Sequence, residues 1–340
     1  MRARFLLAVS LLAAFLPVSS LHAASNVSVS TAATSGGTFG GSNPKVFTPT
    51  AVNAVANRDT IQTSLNAGVG VSVLTASGAA AVGDLTVAAS VTKTAGTGAT
   101  LTLNAVRDLL VNAPIGSTND LLNLSLFSGR TIALSQSPSL NGGTLTVNSG
   151  TFTPGDGTQY MAITGDLTIL AAARTAVKLD TSFGRFAVSG SVVLDGALDV
   201  SFANNFEDVI SEGNAFPIIT GASVTGTFAG LPEGSRVTLP NDLGSIKINY
   251  TATAVTLSDW QPVIVNLTWD PGTADDGTQV FTNTNTRAGR QLLPHCHRRP
   301  GHPRVAHAAH GAGRRGESLH VARLAADDDL VQLCLGARGQ

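Results

Sequence analysis

The chain has 340 residues, of which 43% are hydrophobic and only 13% are charged, and its formal net charge is −1 at pH 7. Beyond the N-terminus no apolar run reaches the roughly 18 residues that a membrane-spanning helix needs, which excludes an integral helical membrane protein. Both cysteines, Cys296 and Cys334, lie in the last 54 residues, so the preceding part of the chain cannot depend on disulfide bonds.

Residues 1–24 have the pattern of a secretory signal peptide. Met1-Arg2-Ala3-Arg4 is followed by an apolar run from Phe5 to Val18 and by the small residues Ala23-Ala24-Ser25. A basic start, a short apolar run and a small-residue exit are typical of such a segment. We therefore expect cleavage after Ala23 or Ala24 and export of the rest of the chain.

Residues 25–58 are rich in Ser, Thr and Gly, and we interpret them as a leader or a first edge strand. A short helix follows over residues 59–68. Asp59 can cap its N-terminus, Ile61 and Leu65 lie four residues apart on one face, and Gly68 can end it. Such a helix is suited to cap the open end of a strand stack, whose backbone and apolar side chains need cover.

Residues 59–148 contain short apolar-polar-apolar triplets with the period of two that indicates a strand with one buried face. Taken two at a time, the triplets recur after 24, 23, 23 and 21 residues, with Gly, Asn and Ser between them. A recurrence of this size predicts the coils of a parallel β-helix. The triplets are Leu85-Thr86-Val87, Leu101-Thr102-Leu103, Leu109-Leu110-Val111, Leu124-Ser125-Leu126, Ile132-Ala133-Leu134 and Leu145-Thr146-Val147.

Residues 149–258 repeat the strand pattern with looser spacing, after a turn-rich joint at residues 150–160. We expect these residues to form further coils that widen or open into a small sandwich-like cap at the C-terminal end. The predicted fold is therefore all-β: a right-handed parallel β-helix with a short N-terminal capping helix and a disordered C-terminal tail.

Several of these strands also carry a family resemblance, which covers roughly residues 59–257. Gly83-Asp84-Leu85-Thr86-Val87 and Ala99-Thr100-Leu101-Thr102-Leu103-Asn104-Ala105, with Val111-Asn112-Ala113-Pro114-Ile115, resemble the repeats of filamentous-haemagglutinin-type exoproteins. Phe186-Ala187-Val188-Ser189-Gly190, with residues 224–234, resembles the last passenger repeat of autotransporter-like surface proteins. The resemblance implies a right-handed parallel β-helix outside a Gram-negative cell, with an adhesive or scaffolding role. We expect the chain to differ from that family in having no membrane barrel, and the resemblance therefore does not imply an export route.

Residues 259–286 are interpreted as a linker or the start of a truncated further domain. From Arg287 to Gln340 the chain has 9 Arg and 4 Asp/Glu and no Lys, Ile, Asn, Phe, Tyr, Met, Thr or Trp. A GC-rich gene read in a shifted frame would produce this composition, so we hypothesise a frameshift near Arg287. The alternative is a natural basic low-complexity tail. In either case we expect residues 287–340 to be disordered or to form one short helix around Leu319 to Leu324.

Three groups of residues are candidate chemical sites. Asp180, Asp195 and Asp199 could act as the clustered carboxylates of an enzyme that cuts acidic polysaccharides, but a solvated face explains them better. His295, Cys296 and His297, with His302, His307 and His310, are metal-ligand types without the paired spacing of a zinc site. Phosphate binding could use the tail arginines, but no aromatic residue interleaves with them. These are Arg298, Arg299, Arg304, Arg314 and Arg315.

The sequence contains no nucleophile elbow, phosphate loop or dinucleotide fingerprint. We therefore assign no catalytic, cofactor-binding or metal-binding residue and expect an exported, non-catalytic surface protein. It would be adhesin-like or structural, would contact a host or environmental glycan or protein surface rather than nucleic acid, and could self-associate. Association with the outer membrane would need a missing domain or partner. The alternatives are a polysaccharide-degrading enzyme on the same scaffold and a truncated product without a function of its own.

Overall fold

A computed structural model describes residues 25–76, 82–211 and 213–263, together with two short strands further on. The chain divides into two compact units at Val263. The predicted signal peptide and the basic tail from Arg287 onward lie outside the described residues. In the part of the chain that is described, no helix is long and apolar enough to cross a membrane.

The first unit is a parallel β-solenoid of about 7 turns and is only 6% helical, which confirms the predicted fold class. Its N-terminal region consists of β1 (Asn26–Ser30), β2 (Gly37–Gly40), β3 (Lys45–Pro49), β4 (Asn53–Asn57), helix α1 (Arg58–Asn66) and β5 (Val71–Leu74).

The regular turns follow. Their strands are β6 (Leu85–Val87), β7 (Val91–Lys93), β8 (Ala99–Ala105), β9 (Leu109–Val111), β10 (Ile115–Ser117), β11 (Leu122–Ser128), β12 (Thr131–Leu134), β13 (Ser139–Val147), β14 (Gly150–Pro154), β15 (Tyr160–Ile169), β16 (Ala173–Leu179), β17 (Arg185–Val188), β18 (Ser191–Leu194), β19 (Ala197–Phe202), β20 (Ala215–Thr220) and β21 (Ser223–Gly226). The expected joint at residues 150–160 is therefore mostly strand, because β14 continues the stack and only a short turn separates it from β15.

Each turn contributes to three faces, named here in chain order. Face 1 stacks β6, β9, β12, β14, β16 and β19. Face 2 stacks β7, β10, the first parts of β13 and β15, and then β17 and β20. Face 3 stacks β8, β11, the second parts of β13 and β15, and then β18 and β21. All of these pairings are parallel.

The core is a column of aliphatic side chains, because alternate residues of every strand point inward. On face 1, Leu85, Leu109, Ile132 and Phe152 lie in register on successive turns, and all four are fully buried. Each inward position is thus covered by its equivalents in the turns above and below. A single turn has no such cover, so the stability of the rod depends on the contacts between turns.

The N-terminal strand is placed out of sequence order. β1 pairs in parallel with β4 on one side and with β6 on the other, so it lies inside face 1. Val27 and Val29 point into the core and are buried. The sequence predicted at most a first edge strand here, and that prediction is wrong for β1. Two buried valines are enough to hold β1 between β4 and β6, although two valines are too weak a pattern to predict an interior strand from the sequence.

Helix α1 confirms the predicted capping helix, and its inward residues are Ile61 and Leu65, both fully buried. Its start differs from the prediction. The N-cap is Asn57, whose side-chain oxygen accepts a hydrogen bond from the backbone N–H of Thr60 at 2.9 Å, whereas Asp59 lies in the first turn. The cap lies two residues earlier than predicted because strand β4 continues directly into the helix.

Replacing Asn57 by Ala is expected to destabilise the N-terminal cap by about 1 kcal/mol, because the Thr60 N–H loses its acceptor. Asp59→Ala removes a favourable charge from the first turn and an exposed ion pair with Arg58, and we expect a smaller loss of a few tenths of a kcal/mol. Urea denaturation of both variants measures the difference. An Asp59→Ala effect equal to or larger than that of Asn57→Ala would contradict the assignment of the cap.

The C-terminal end confirms that the stack changes into a cap. β22 (Arg236–Thr238), β23 (Ser245–Tyr250) and β24 (Ala254–Gln261) form an antiparallel sheet, and β24 extends face 2 by pairing with β20. Two short 3-10 helices, Phe206–Asp208 and Pro240–Asp242, accompany it. In the second unit, β25 (Leu267–Asp270) and β26 (Val280–Asn283) pair as an antiparallel hairpin.

Candidate functional site

The three carboxylates that the sequence singled out lie at three different positions. Asp199 is on the outer side of β19, where its Oδ1 accepts from Arg174 Nη1 at 2.5 Å. Asp180 follows β16 and accepts from Asn204 Nδ2 at 2.6 Å. Asp195 lies in the turn between β18 and β19. Asp180 and Asp199 thus have separate partners, and Asp195 occupies a corner rather than a face.

The electrostatics of Asp180 do not suit an acid catalyst. The Asn204 amide, followed by the backbone N–H of Thr181, holds the pKa of the Asp180 carboxyl below its ordinary value. Glycosidic cleavage needs one carboxyl whose pKa is raised, so that it carries a proton at neutral pH. Asp180 is shifted in the opposite direction.

One of the three carboxylates does line a cavity on face 1. This cavity, called the face 1 cleft below, has a volume of about 440 Å³. The outward residues Ala176 and Lys178 of β16 and Asp199 and Ser201 of β19 line it. The remaining lining residues are Thr153, Asp156 and Gly157 near the β14–β15 turn, Val177, Leu198 and Val200 on the two strands, and Thr238, Leu239 and Pro240 in the C-terminal cap.

Asp156 and Lys178 give the cleft both signs of charge. Asp156 Oδ1 accepts from the backbone N–H and the hydroxyl of Thr158, at 3.0 and 2.7 Å. These hydrogen bonds, and to a smaller extent the Lys178 ammonium, keep the pKa of Asp156 below its ordinary value. Gly157 lets the Lys178 stem pass close by, since a Cβ at that glycine would lie 3.1 Å from Lys178 Cγ. Carboxylates, hydroxyls and an ammonium side by side can bind the hydroxyl groups of a sugar.

This cleft was not predicted from the sequence. Gly155-Asp156-Gly157 was visible only as an isolated turn, and Lys178 is one residue in an ordinary strand pattern. Their proximity comes from the stacking of turns, which brings residues from β14, β16 and β19 to one surface. The only local indication was the alternation in β16, which predicts that Lys178 points outward.

A second group of charges runs along the corner between faces 3 and 1. Arg107 Nε donates to Asp84 Oδ1 at 2.7 Å, and one turn further Arg130 Nε donates to Asp108 Oδ1 at 2.7 Å. Arg107 and Asp108 themselves lie 3.6 Å apart. Hydrogen bonds from the partner arginines lower the pKa values of Asp84 and Asp108. These four residues, called the charge ladder below, satisfy one another, so their role is to join turns.

The candidate metal ligands, His295 to His297 with His302, His307 and His310, lie outside the described residues, as do the tail arginines. Among the residues that the structure does describe, no group of three or more His, Cys, Asp or Glu side chains is arranged to hold a metal ion.

No protein-family model matches the chain, and no match is found among curated proteins. The β-solenoid itself is established by the structure. The likeness to filamentous-haemagglutinin-type and autotransporter-like repeats stays a resemblance of motifs.

Proposed function

We propose that the chain is an exported, non-catalytic β-solenoid of a Gram-negative bacterial surface, adhesin-like or structural, of the filamentous-haemagglutinin or autotransporter-like type. The N-terminal pattern of residues 1–24 supports export. The absence of cysteine from residues 25–286 is compatible with export, because a continuous stacked core needs no disulfide bond outside the cell. Attachment to the outer membrane would use a further domain or a partner protein.

The observation that carries the adhesive role is the regular outer surface of face 3. Ser72, Thr102, Ser125, Thr146 and Thr168 lie in register on five successive strands. Neighbouring strands are about 4.8 Å apart, so the row presents hydroxyl groups at a fixed short interval on a rigid support. Weak contacts repeated along such a row add up to avidity for a glycan, a protein surface or a second copy.

The face 1 cleft favours a second candidate function. Asp156, Lys178 and Asp199 line a space that could hold one or two sugar units, and a polysaccharide-degrading enzyme would place its catalytic groups in such a cleft. The partners already described for Asp156 and Asp199 support binding over catalysis. A truncated product without a function of its own is the third alternative.

One experiment separates these functions. The purified chain is mixed with an insoluble acidic polysaccharide, and both its depletion from solution and the release of reducing ends are measured. The polysaccharide chosen carries single carboxylates between neutral units, because a densely charged one would be repelled by the acidic chain. The proposal expects depletion without release. Release that is lost in Asp199→Ala or Asp195→Ala, but kept in the exposed control Asp59→Ala, would establish the enzyme instead. The absence of both signals would contradict glycan adhesion.

A further inference from the structure

One arginine of the solenoid differs from all the others that the structure describes. Six arginines fall within the described residues, and five of them form ion pairs with aspartate. Arg185 is the exception, with no carboxylate within ion-pair distance among those residues. The five pairs are Arg58–Asp59, Arg107–Asp84, Arg130–Asp108, Arg174–Asp199 and Arg236–Asp259.

Arg185 contacts two aromatic rings instead. Its guanidinium carbon lies 4.9 Å from the centre of the Tyr160 ring and 5.4 Å from that of Phe183. Tyr160 and Arg185 are register partners on β15 and β17, and both point to the outside of face 2. Arg185 is exposed, and Tyr160 is 57% exposed. A charged group and an aromatic surface are therefore presented together to solvent.

The surrounding backbone holds this arrangement in place. The N–H of Arg185 donates to the carbonyl of Gln159 at 3.0 Å. Gly184 passes so close to the preceding turn that an added Cβ would lie 2.0 Å from the carbonyl oxygen of Gly157. Phe183 also packs against Phe216, with the two ring centres 5.3 Å apart and the rings nearly perpendicular. The guanidinium is thus oriented before any ligand arrives, which lowers the entropy cost of binding.

We infer that Arg185, Tyr160 and Phe183 form a binding site for the carboxylate of an acidic sugar. The guanidinium is a planar fork of donors that matches a carboxylate with two parallel hydrogen bonds. The aromatic rings beside it offer the apolar surface on which the C–H groups of a sugar ring can pack.

The net charge of residues 25–286 further restricts the class of acidic sugar that the site can bind. Residues 25–286 hold 10 Lys/Arg and 18 Asp/Glu, a net charge of −8, which repels densely charged polyanions at long range. A sugar chain with a single carboxylate among neutral units can reach the Arg185 guanidinium without being strongly repelled by the acidic chain. The site therefore fits an isolated uronic or sialic acid residue better than a heavily sulfated chain.

Titration of the purified chain with sialyllactose, followed by amide chemical shifts, tests the site. We expect shifts at residues 158–160 and 183–186, and none with lactose, which lacks the carboxylate. Arg185→Gln should weaken binding at least about tenfold, because a charge-assisted pair is lost. Arg185→Lys should weaken it several-fold, since the charge stays but the fork is gone. Arg58→Gln, in which the altered arginine already has an aspartate partner in helix α1, is the matched control.

Each contrary result overturns the assignment. If lactose bound equally well, or if Arg185→Gln left the affinity unchanged, the site would not recognise the carboxylate. Equal binding of a short peptide with one glutamate as its only charge would show that the sugar ring is not recognised. Tighter binding of a sulfated tetrasaccharide would show that the site does not select carboxylates. This inference rests on the proposed function for the idea that the partner is a glycan. Its failure would leave retention on polysaccharide through face 3 intact, because that is measured on the unaltered chain.

Discussion

Replacing Gly143 by Ala is expected to destabilise the solenoid by about 3 kcal/mol or more, although the change adds a single methyl group. An added Cβ at this position would lie 2.1 Å from the carbonyl oxygen and 2.5 Å from the carbonyl carbon of Leu122, in the preceding turn. Those atoms are backbone and cannot rotate away, so one turn must move off the next. The movement weakens strand pairing and core contacts together, which is why the loss lies at the upper end of overpacking effects.

A matched substitution isolates the cause. Gly40 lies on β2, has no heavy atom within 4 Å of an added Cβ, and like Gly143 does not occupy the left-handed region. Gly40→Ala should therefore change the free energy of unfolding by less than about 0.5 kcal/mol, since it meets no steric contact. Urea denaturation followed by circular dichroism compares the two variants. Hydrogen exchange should also rise in β11 and β13 of Gly143→Ala only. Equal stability of the two variants would contradict the close contact between turns.

Most of the strand register on faces 1 and 3 could be predicted from the sequence. The spacings between alternate triplets correspond to real partners: Leu85 pairs with Leu109, and Leu109 pairs with Ile132. Leu101 pairs with Leu124, and Leu124 with Leu145, as the other two spacings require. The prediction succeeds because stacked turns must bury equivalent positions against one another, so the apolar pattern itself records the length of each turn.

The first two strands of face 2, β7 and β10, were not predicted because their inward positions are partly polar. Lys93 and Ser117 both point into the solenoid and are buried, so β7 and β10 lack the apolar alternation of the other strands. Their polar groups are satisfied inside: Lys93 Nζ donates to the carbonyl of Asn119 at 2.6 Å, and the Ser117 hydroxyl to that of Asp120 at 2.7 Å. A pattern that counts only apolar residues cannot recognise a buried position that depends on backbone carbonyls from a turn.

The candidate sites depend on neighbours that are distant in the chain. Lys178 and Asp199 reach one cleft because β16 and β19 are adjacent in face 1. Arg185 is distinguished by the absence of an acidic partner among the described residues, and this can be judged only when the spatial neighbours are known. The sequence could have shown that Tyr160 and Arg185 are 25 residues apart, close to the length of one turn. That spacing alone gives no reason to prefer this pair over others.

The charge ladder leads to the second large effect, at its buried member Asp108. This side chain is 12% exposed and accepts hydrogen bonds from Arg130 Nε at 2.7 Å, from Arg130 Nη2 and from the backbone N–H of Thr131 at 3.3 Å. Asp84 occupies the equivalent position one turn earlier, and like charges in adjacent turns repel. Arg107 and Arg130 convert that repulsion into attraction, so the ladder is stable only while both carboxyls are ionised.

Asp108→Asn should therefore lower the free energy of unfolding by about 2 kcal/mol at pH 7, a value that allows for the 61% exposure of Arg130. Since Asp199 and its partner Arg174 are each 49% exposed, Asp199→Asn should cost less than about 0.5 kcal/mol. A similar loss in both variants would contradict the special role of the ladder.

The pH dependence gives an independent test of the same residue. Hydrogen bonds from Arg130 lower the pKa of Asp108 in the folded state, so the unfolded chain takes up the proton first on acidification. The stabilisation is complete above the unfolded pKa of about 3.9 and disappears as the pH falls through the lower folded value. Unfolding free energies measured from pH 7 to pH 3 should decline less steeply in Asp108→Asn than in the unaltered chain. If the unfolding free energy declined equally steeply with falling pH in both proteins, Asp108 would have the same pKa in the folded and the unfolded chain. The ladder would then not stabilise the contact between turns.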